Sequence, residues 1–262
     1  MSRAGWERAL VTGASSGIGA ALCRLLAPEG VDLVVVARDR ERLDKLAAEL
    51  GSVGETEVEV LVADLADPAD LRRVEDRLGD VARPVDLMVN NAGFGTYGPF
   101  ASLGVDGEER EIAVNVTALV RLTHAALVPM LARGRGTVLN VGSVAGLQAT
   151  PGNATYGATK AFVSSFGEAL AGEVAGSGVT VTTVLPGFTR TEFQERAGIE
   201  GRKIPGPLWQ SAEDVAAEAL AAARSGQAWH VTGRHNQALV AASALVPRRL
   251  KRWLGARATS RL

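Results

Sequence analysis

The chain has 262 residues, of which 47% are hydrophobic and 22% are charged, and its formal net charge is −1. This length favours a single undivided domain, and the composition excludes an intrinsically disordered chain, a collagen and a disulfide-rich scaffold. Because 28 basic residues nearly balance 29 acidic ones, no overall electrostatic field would attract nucleic acid, and we expect no nucleic-acid partner.

The amino terminus and the metal-binding residue types narrow the class further. Cys23 is the single cysteine, so the sequence allows neither an internal disulfide nor a multi-thiolate metal site. Three histidines argue against a histidine-built centre, and we expect no metal. Residues 1–8 lack the apolar stretch of a signal peptide, and no apolar run reaches membrane-spanning length. These observations favour a cytoplasmic protein.

Short apolar runs alternate along the chain with longer segments of helical periodicity. The runs predict strands at 9–12, 33–37, 58–63, 87–89, 137–141 and 179–185. The longer segments predict helices at 20–27, 40–50, 68–78, 107–131, 156–175 and 212–225. Strands that are apolar almost throughout are typical of a parallel sheet covered on both faces, and parallel neighbours need helical crossovers. The sequence therefore predicts an α/β fold with a doubly wound parallel sheet in a single domain.

A glycine-rich turn, TGASSGIG at 12–19, joins the first predicted strand to the first helix. A pyrophosphate needs a close approach to the backbone and a positive helix end, and glycines allow both. We expect Gly13 to make the tight turn, Gly17 to admit the phosphates and Gly19 to let the helix pack on the strand. In this strand–turn–helix context the motif predicts a dinucleotide site, with an ordinary loop as the alternative.

The end of the second predicted strand bears on which dinucleotide is bound. NAD needs a carboxylate there for its ribose 2′-hydroxyl, whereas an arginine accepts the 2′-phosphate of NADP. Ala37 stands where the carboxylate would be, and Arg38 follows it, so the sequence favours NADP(H) over NAD(H). Two alternatives stay open: Asp39 could turn back to the ribose or pair with Arg40 or Arg42, and Arg38 could be merely solvated.

A tyrosine and a lysine spaced four residues apart suggest acid–base chemistry. On a helix, Tyr156 and Lys160 share one face, and an ammonium beside a phenol favours the phenolate. We therefore expect a lowered pKa for Tyr156, which would act as general acid in ketone reduction or general base in alcohol oxidation. Ser143 would donate a hydrogen bond to the substrate oxygen, and Lys160 could also bind the nicotinamide ribose. The alternative is an ordinary surface Tyr/Lys pair.

Taken together, these motifs resemble the short-chain dehydrogenase/reductase family over residues 8–223. The matching positions are, in chain order, TGxxxGxG at 12–19, NNAG at 90–93, Asn115, Ser143, YxxxK at 156–160 and Pro186-Gly187. The resemblance implies a Rossmann fold that binds NAD(P)(H). It also implies hydride transfer between the nicotinamide and a carbonyl or alcohol carbon. One departure is Ser16, where many NADP-using relatives place a basic residue, so the choice of cofactor rests on Arg38.

The resemblance also assigns roles to individual residues. Asn115 would bend its helix and hold a water that links Lys160 to solvent. The alternative, from its residue type alone, is a polar residue that is merely tolerated within a helix. Asp64-Leu65 would contact the adenine, with a helix cap as the alternative, and the 91–93 loop would lie beside the adenine ribose. The 186–191 segment would hold the nicotinamide carboxamide. The full set of predicted cofactor contacts is Gly13, Ser15, Ser16, Gly17, Ile18, Gly19, Arg38, Asp64, Leu65, Asn91, Ala92, Gly93, Tyr156, Lys160, Pro186, Gly187, Thr189 and Thr191.

Three loops beyond the predicted strands, 94–97, 144–153 and 188–209, are the candidates for substrate contacts. Their apolar side chains are Phe94, Leu147, Phe188, Phe193, Ile199, Leu208 and Trp209. An apolar pocket suits a hydrophobic ketone, aldehyde or alcohol. The alternatives are a 3-oxoacyl reductase and a nucleotide-sensing protein without chemistry. Residues 198–207, rich in glycine and proline, would form a mobile lid.

The chain ends in a strongly basic segment, because no acidic residue follows Glu218. We assign 1–225 to a dinucleotide-binding and catalytic domain, with a substrate loop at 188–210. We assign 226–262 to a basic, helical C-terminal extension packed on or tethered to that domain. Apolar residues of 246–262 share one helix face, which predicts peripheral membrane contact or packing on the body. By the family resemblance, helices 107–131 and 156–175 would pair subunits into a homodimer or homotetramer.

Overall fold

The computed structural model describes residues 5–53, 56–193, 197 and 206–244. Within them, the strands of the main sheet are β1 Arg8–Thr12, β2 Asp32–Ala37, β3 Val58–Val62, β4 Leu87–Asn90, β5 Gly136–Val141, β6 Val179–Leu185 and β9 Trp229–Val231. These seven strands are parallel and lie in the order β3-β2-β1-β4-β5-β6-β9. A separate two-stranded pair joins β7 Phe188–Thr189 to β8 Trp209–Gln210. The predicted doubly wound α/β sheet is therefore confirmed.

Helices cover both faces of this sheet. They are α1 Gly17–Leu26, α2 Arg40–Gly51, α3 Pro68–Leu78, α4 Val105–Ile112, α5 Leu119–Arg133, α6 Ala154–Glu173, α7 Ala212–Arg224 and α8 Arg234–Ala244. Successive strand residues point to opposite faces, so Ala9 and Val11 join a core with α1, α2 and α7. Leu10 points the other way, into a core with α3 and α5. Burial on both faces explains why the strands are apolar throughout.

The strand order reverses between β1 and β4, which both lie at the centre of the sheet. Val11 is paired with Val35 of β2 on one side and with Val89 of β4 on the other. The connections that leave these two strands run in opposite directions, so their carboxyl ends open into a crevice. Ligands of open α/β sheets bind at this switch point.

Helices α4 and α5 are continuous through a π-helical segment, Ala113–Ala118, which contains Asn115. Single π-turns are often found at functional sites. Among the described residues, the Val105–Arg133 stretch is long enough to span a membrane, and an 18-residue window of it has a mean hydropathy of 1.4. Three of its apolar residues, Leu122, Ala126 and Met130, are buried against the sheet. Part of this hydropathy therefore reflects packing in the core.

The described part of the predicted C-terminal extension packs on the sheet. Strand β9, which the sequence pattern missed, pairs in parallel with β6, and α8 follows it. The pattern missed β9 because the strand has three residues and is only partly buried. The boundary between residues 225 and 226 stays a prediction. Residues 198–205 of the predicted lid and 245–262 of the basic segment lie outside the described residues.

Candidate active site

A cleft of about 1040 Å³ opens at the carboxyl ends of the central strands. Every predicted catalytic or cofactor-binding residue lines this cleft except Gly19 and Asn115, which lie directly behind its wall. Side chains from all three predicted substrate loops line it as well, among them Phe94, Tyr97, Val144, Phe188 and Phe193. The fold thus brings the residues from distant parts of the sequence into one concave site.

The glycine-rich turn forms the floor of one end of the cleft. Gly13 and Gly17 have φ values of +66° and +55°, a left-handed conformation that favours glycine. A Cβ atom on Gly19 would lie 2.3 Å from the carbonyl oxygen of Gly13, so only a glycine lets α1 start this close to the turn. The backbone N–H groups at the start of α1 therefore face the cleft, as a pyrophosphate site requires.

The loop after β4 holds the glycine turn in place. The backbone N–H groups of Asn91 and Ala92 each donate to the Thr12 hydroxyl at 3.0 Å. The Asn91 side-chain amide donates to the carbonyl oxygens of Thr12 at 2.8 Å and of Gly13 at 3.2 Å. These contacts give the NNAG motif a structural role in addition to the predicted cofactor contact.

Arg38 is exposed at the rim of the cleft, just beyond β2. Asp39, whose role was left open, accepts a hydrogen bond from the Arg42 backbone at 3.1 Å and pairs with the Arg42 guanidinium at 3.3 Å. Within the described part of the chain, Arg38 makes no hydrogen bond or ion pair with a neighbouring side chain, although its charge acts on the Asp64 carboxylate. Its guanidinium is therefore available to an anionic group in the cleft.

Asp64 and Leu65 form the opposite wall of this end of the cleft. The Asp64 carboxylate accepts a hydrogen bond from the Ala66 backbone at 3.1 Å and forms an ion pair with Arg110 of α4. Asp64 does not cap the following helix, which was its alternative role. Asp67 caps α3 instead, because its side chain accepts hydrogen bonds from the first N–H groups of that helix.

Tyr156 and Lys160 lie on the first turns of α6, beside the end of β5. The Lys160 ammonium donates to the Val141 carbonyl oxygen at 2.8 Å and lies 5.8 Å from the centroid of the Tyr156 ring. Ser143 follows β5, and its hydroxyl accepts from the Ala145 backbone at 3.1 Å. The expected grouping of a phenol, an ammonium and a hydroxyl is therefore present.

The expected direction of the Tyr156 pKa is wrong for the protein as described. Burial raises the pKa of Tyr156 to about 12, and the Ser143 hydroxyl only partly opposes this rise. Burial also lowers the pKa of Lys160 to about 8. The sequence argument assumed an ammonium directed at the phenol, whereas Lys160 is directed at a carbonyl oxygen and the surroundings penalise both charges.

Asn115 is 2% exposed and connects α6 to the loop after β4. Its amide nitrogen donates to the Phe94 carbonyl at 2.8 Å and to the Thr159 hydroxyl at 3.1 Å, and its oxygen accepts from the Phe94 backbone. A Cβ atom on Gly93 would lie 3.0 Å from this oxygen and 3.5 Å from the Lys160 nitrogen. Asn115 and Lys160 therefore meet behind Gly93.

The segment after β6 closes the far end of the cleft. Pro186, Gly187, Thr189 and Thr191 all line it. Thr191 packs against the glycine turn, because a Cβ atom on Gly17 would be 3.0 Å from the Thr191 methyl group. The 186–191 segment therefore reaches from the end of β6 to the start of α1.

Two buried acidic residues beside the site were missed by the sequence reasoning. Glu111 is fully buried and Glu108 is 5% exposed, and both accept hydrogen bonds from Thr96 in the loop after β4. Burial raises the pKa of Glu111, and its charge acts on both Tyr156 and Lys160. Nothing in the sequence pattern separates these residues from the exposed Glu109 between them.

The residues present fit a dinucleotide. The glycine turn offers a cradle that side chains would fill, a helix amino terminus faces it, and an exposed guanidinium stands beyond β2. Next to this cradle lie the phenol, hydroxyl and ammonium. A fold and a cleft of this kind define a dinucleotide-dependent oxidoreductase.

Comparison with known proteins agrees with that class. The family model described as short chain dehydrogenase matches residues 7–200. A solved short-chain dehydrogenase from Sphingobium yanoikuyae, in complex with NADPH, is 43% identical, with a TM-score of 0.80 and 86% of each chain covered. The bulky-bulky ketone specific alcohol dehydrogenase from Comamonas testosteroni is 31% identical, with a TM-score of 0.79, covering 93% of this chain and 96% of that one.

The name of another relative specifies an acyl substrate. The 3-oxoacyl-[acyl-carrier-protein] reductase FabG of Escherichia coli is 32% identical over 231 residues, which are 86% of this chain and 92% of the relative. The chain therefore belongs to the short-chain dehydrogenase family, and it is an NAD(P)-dependent oxidoreductase.

Proposed function

We propose that the protein is an NADP(H)-dependent reductase of hydrophobic ketones or aldehydes, with Tyr156 as the proton donor. The observation that carries the proposal is the grouping of Tyr156, Ser143 and Lys160 in the same cleft as the glycine turn. In this proposal Asn115, Ser143, Tyr156 and Lys160 are the catalytic residues. The remaining residues of the predicted cofactor set bind the dinucleotide.

Two observations support NADP(H) over NAD(H). The Arg38 guanidinium is exposed at the rim beyond β2, where an additional phosphate on the ribose would be met. The Sphingobium relative is a complex with NADPH. The glycine turn, the start of α1 and the 186–191 segment would hold the cofactor, which would supply the hydride when bound.

Each catalytic side chain has a separate task. Tyr156 gives its phenolic proton to the carbonyl oxygen as that oxygen becomes an alcohol. Ser143 donates a hydrogen bond to the same oxygen while its negative charge develops. Lys160, with its pKa lowered to about 8, can exchange a proton near neutral pH and so return one to the phenolate. Asn115 fixes the loop behind Lys160.

The protonation state of Tyr156 suits a proton donor. With a pKa raised to about 12, the phenol keeps its proton at neutral pH, which is the form that donates to a carbonyl oxygen. Alcohol oxidation needs the phenolate instead, and burial disfavours it. We therefore take carbonyl reduction as the reaction to test first.

Aromatic side chains support a hydrophobic substrate. Phe94, Phe188 and Phe193 line the cleft beside Tyr156, and the Phe193 and Tyr156 ring centroids are 5.2 Å apart. A wall of this kind excludes water and packs on an apolar group. The Comamonas relative is specific for bulky-bulky ketones, which agrees with this choice of substrate.

The decisive test is Tyr156→Phe, which removes the hydroxyl and keeps the ring. We expect NADPH-dependent reduction of a series of aryl and alkyl ketones to fall about 10²-fold or more, while NADPH binding is nearly unchanged. Nicotinamide absorbance measures turnover, and NADPH fluorescence measures binding. Turnover above about a tenth of the wild-type rate would mean that the proton donor is misassigned.

A second candidate is a 3-oxoacyl reductase acting on fatty acyl chains. The similarity to the Escherichia coli enzyme favours it, and the same catalytic residues would serve. Comparing kcat/KM for a carrier-bound 3-oxoacyl chain with that for free ketones separates the two substrates. A nucleotide-sensing role without chemistry is disfavoured, because Ser143, Tyr156 and Lys160 all line the cleft.

We also propose a homodimer or homotetramer that pairs through α4–α5 and α6. Members of the family are commonly oligomeric, and these helices carry exposed apolar side chains, including Val128, Leu131 and Phe162. Light scattering during size-exclusion chromatography measures the subunit number. A monomer at micromolar concentration would contradict the proposal.

The cellular location is a further proposal: a cytoplasmic protein whose basic segment, residues 246–262, either packs on the body or makes peripheral membrane contact. The sequence pattern of that basic segment is its support. Sedimentation with anionic liposomes, with and without the residues after Pro247, tests the membrane contact. Equal sedimentation of the two forms would contradict it.

A further inference from the structure

The aromatic ring of Tyr156 packs against two neighbours. One is the backbone of Gly95, where a Cβ atom would be 2.7 Å from the Tyr156 Cδ2 atom and 3.0 Å from Cγ. The other is Phe193, with ring centroids 5.2 Å apart. Gly95 does not have a positive φ, so the close approach alone excludes a side chain there. The position of the phenol therefore depends on where the Gly95 backbone lies.

Thr96 anchors the Gly95 backbone to helix α4. The Thr96 backbone N–H donates to Glu111 Oε2 at 2.9 Å. The Thr96 hydroxyl lies 2.5 Å from Glu108 Oε1 and 3.0 Å from Glu111 Oε2. Both carboxyl groups are nearly or fully buried, so these hydrogen bonds do not compete with water.

Glu108 makes a second contact, which reaches the catalytic helix. Its other oxygen accepts a hydrogen bond from the Thr155 hydroxyl, and Thr155 immediately precedes Tyr156 in α6. A single side chain on α4 therefore joins the loop that packs on the Tyr156 ring to the turn of helix that carries Tyr156.

We propose that Glu108 is a positioning residue for the reaction, because its bridge between Thr96 and Thr155 holds Gly95 against the Tyr156 ring. The inference rests on the proposed role of Tyr156 as proton donor. It adds to that role three residues, Gly95, Thr96 and Glu108, which we call the tyrosine clamp. Glu108 itself does not line the cleft and acts through Thr96, Gly95 and Tyr156.

The hydrogen-bonding capacity of the two threonine hydroxyls identifies a conservative variant. The Thr96 and Thr155 hydroxyl groups can each donate or accept a hydrogen bond. Glu108→Gln therefore offers an amide N–H as donor to one hydroxyl and an amide oxygen as acceptor to the other. It should keep the bridge, whereas Glu108→Ala removes it.

The first experiment substitutes the glycine that touches the ring. In Gly95→Ala the new methyl group would displace the Tyr156 ring by several tenths of an ångström or more. We expect kcat for NADPH-dependent reduction of 4-phenyl-2-butanone to fall between about 10-fold and 100-fold, because a misplacement of about 1 Å can cost 10²-fold. The Kd for NADPH should change less than about twofold. Gly172→Ala is the matched control, since its Cβ atom would meet nothing within 4 Å.

The second experiment removes the bridge. Glu108→Ala should lower kcat with little effect on the Kd for NADPH, and Glu108→Gln should restore most of the loss. Thr155→Val, which removes one hydroxyl and keeps the shape, should show a smaller loss of the same kind. If Glu108→Ala does not fold, Gly95→Ala and Thr155→Val test the clamp without it. Equal losses in Glu108→Gln and Glu108→Ala would overturn a positioning role.

A readout without turnover separates the clamp from the proposed function. The chain has two tyrosines, Tyr97 and Tyr156, so protein labelled with ring-¹³C tyrosine gives two sets of ring NMR signals. The Tyr156 signals, assigned with Tyr156→Phe, should move in Gly95→Ala and Glu108→Ala and stay in place in Gly172→Ala. Unmoved signals together with wild-type kcat would overturn the clamp. Retained turnover in Tyr156→Phe would instead overturn the proposed function, whatever the signals show.

Discussion

The two halves of the cleft are held in place by different kinds of contact. In the half formed by the glycine turn, backbone atoms meet backbone atoms, and the Asn91 amide bonds two main-chain carbonyl groups. In the half around Tyr156, buried side chains carry the structure: Lys160, Asn115 and the two glutamates of α4. The first half depends on the absence of side-chain atoms, and the second on buried polar groups.

Because of this difference, substitutions in the two halves should affect the cleft through different physical effects, steric in one half and also electrostatic in the other. A substitution in the glycine turn should act mainly through space, since the groups there are uncharged and closely packed. A substitution near Tyr156 should act through pKa values as well, since burial raises that of Tyr156 and lowers that of Lys160. Activity, binding and pH dependence should therefore respond differently in the two halves.

Lys160→Met should give the largest effect and is expected to separate activity from stability. Reduction should be lost, because the group proposed to return a proton to the Tyr156 phenolate is removed. Stability should rise at pH 7, because the folded state holds a charged group in a site that lowers its pKa from 10.5 to about 8. Each pKa unit corresponds to about 1.4 kcal/mol, so the upper limit is about 3 kcal/mol, reduced by the lost hydrogen bond to Val141.

The sign of this effect can be followed through pH. Below pH 8 the lysine is charged in both the folded and the unfolded state, and the folded state bears the whole cost of burying the charge. Between about pH 8 and 10.5 the folded state loses its proton first, so the stability of the wild type rises and the advantage of the Lys160→Met variant shrinks. Urea unfolding at pH 7 and at pH 10.5 measures the difference, with the exposed Lys45→Met as control. An equal difference at both pH values would contradict the argument.

Gly19→Ala should give the next largest effect, and it acts on the other half. The added Cβ atom would lie 2.3 Å from the Gly13 carbonyl oxygen and 2.6 Å from the Asn91 amide nitrogen, so the turn must shift. Overpacking of this kind costs roughly 1–3 kcal/mol, and we expect NADPH affinity to fall about 10-fold or more. Isothermal titration with NADPH measures it. Gly172→Ala, where the Cβ atom meets nothing within 4 Å, should bind as wild type does.

Arg38→Ala should give a smaller and more selective effect. If the guanidinium receives the 2′-phosphate, the KM for NADPH should rise about 10-fold or more while that for NADH changes little, because a hydrogen bond to a charged group is worth about 1.5–3 kcal/mol. Steady-state kinetics with both cofactors measures this. Arg40→Ala, on the adjacent exposed helix start, is the control. An unchanged preference for NADPH in Arg38→Ala would remove the role assigned to Arg38.

The contrast between the two halves also explains what the sequence could predict. The glycine turn, the strand positions and the Tyr156/Lys160 spacing are local patterns, and the structure places nearly all the residues derived from them in one cleft. The direction of the Tyr156 pKa was wrong because it depends on burial by distant segments. Glu108 was missed because its partner Thr96 lies in a separate loop and nothing in the helix pattern marks a buried glutamate.

The smallest expected effect concerns the contact that joins the two halves at the surface. Arg42 of α2 forms an ion pair with Glu192, which follows β7, at 2.7 Å. Both side chains are more than two-fifths exposed, and exposed ion pairs are worth about 0–1 kcal/mol. Glu192→Gln should therefore raise the Kd for NADPH less than about fivefold at low salt, and the difference should vanish at high salt because screening removes it. A larger effect that persists in salt would mean that this pair closes the 188–193 segment over the cofactor, so that the two halves are mechanically coupled.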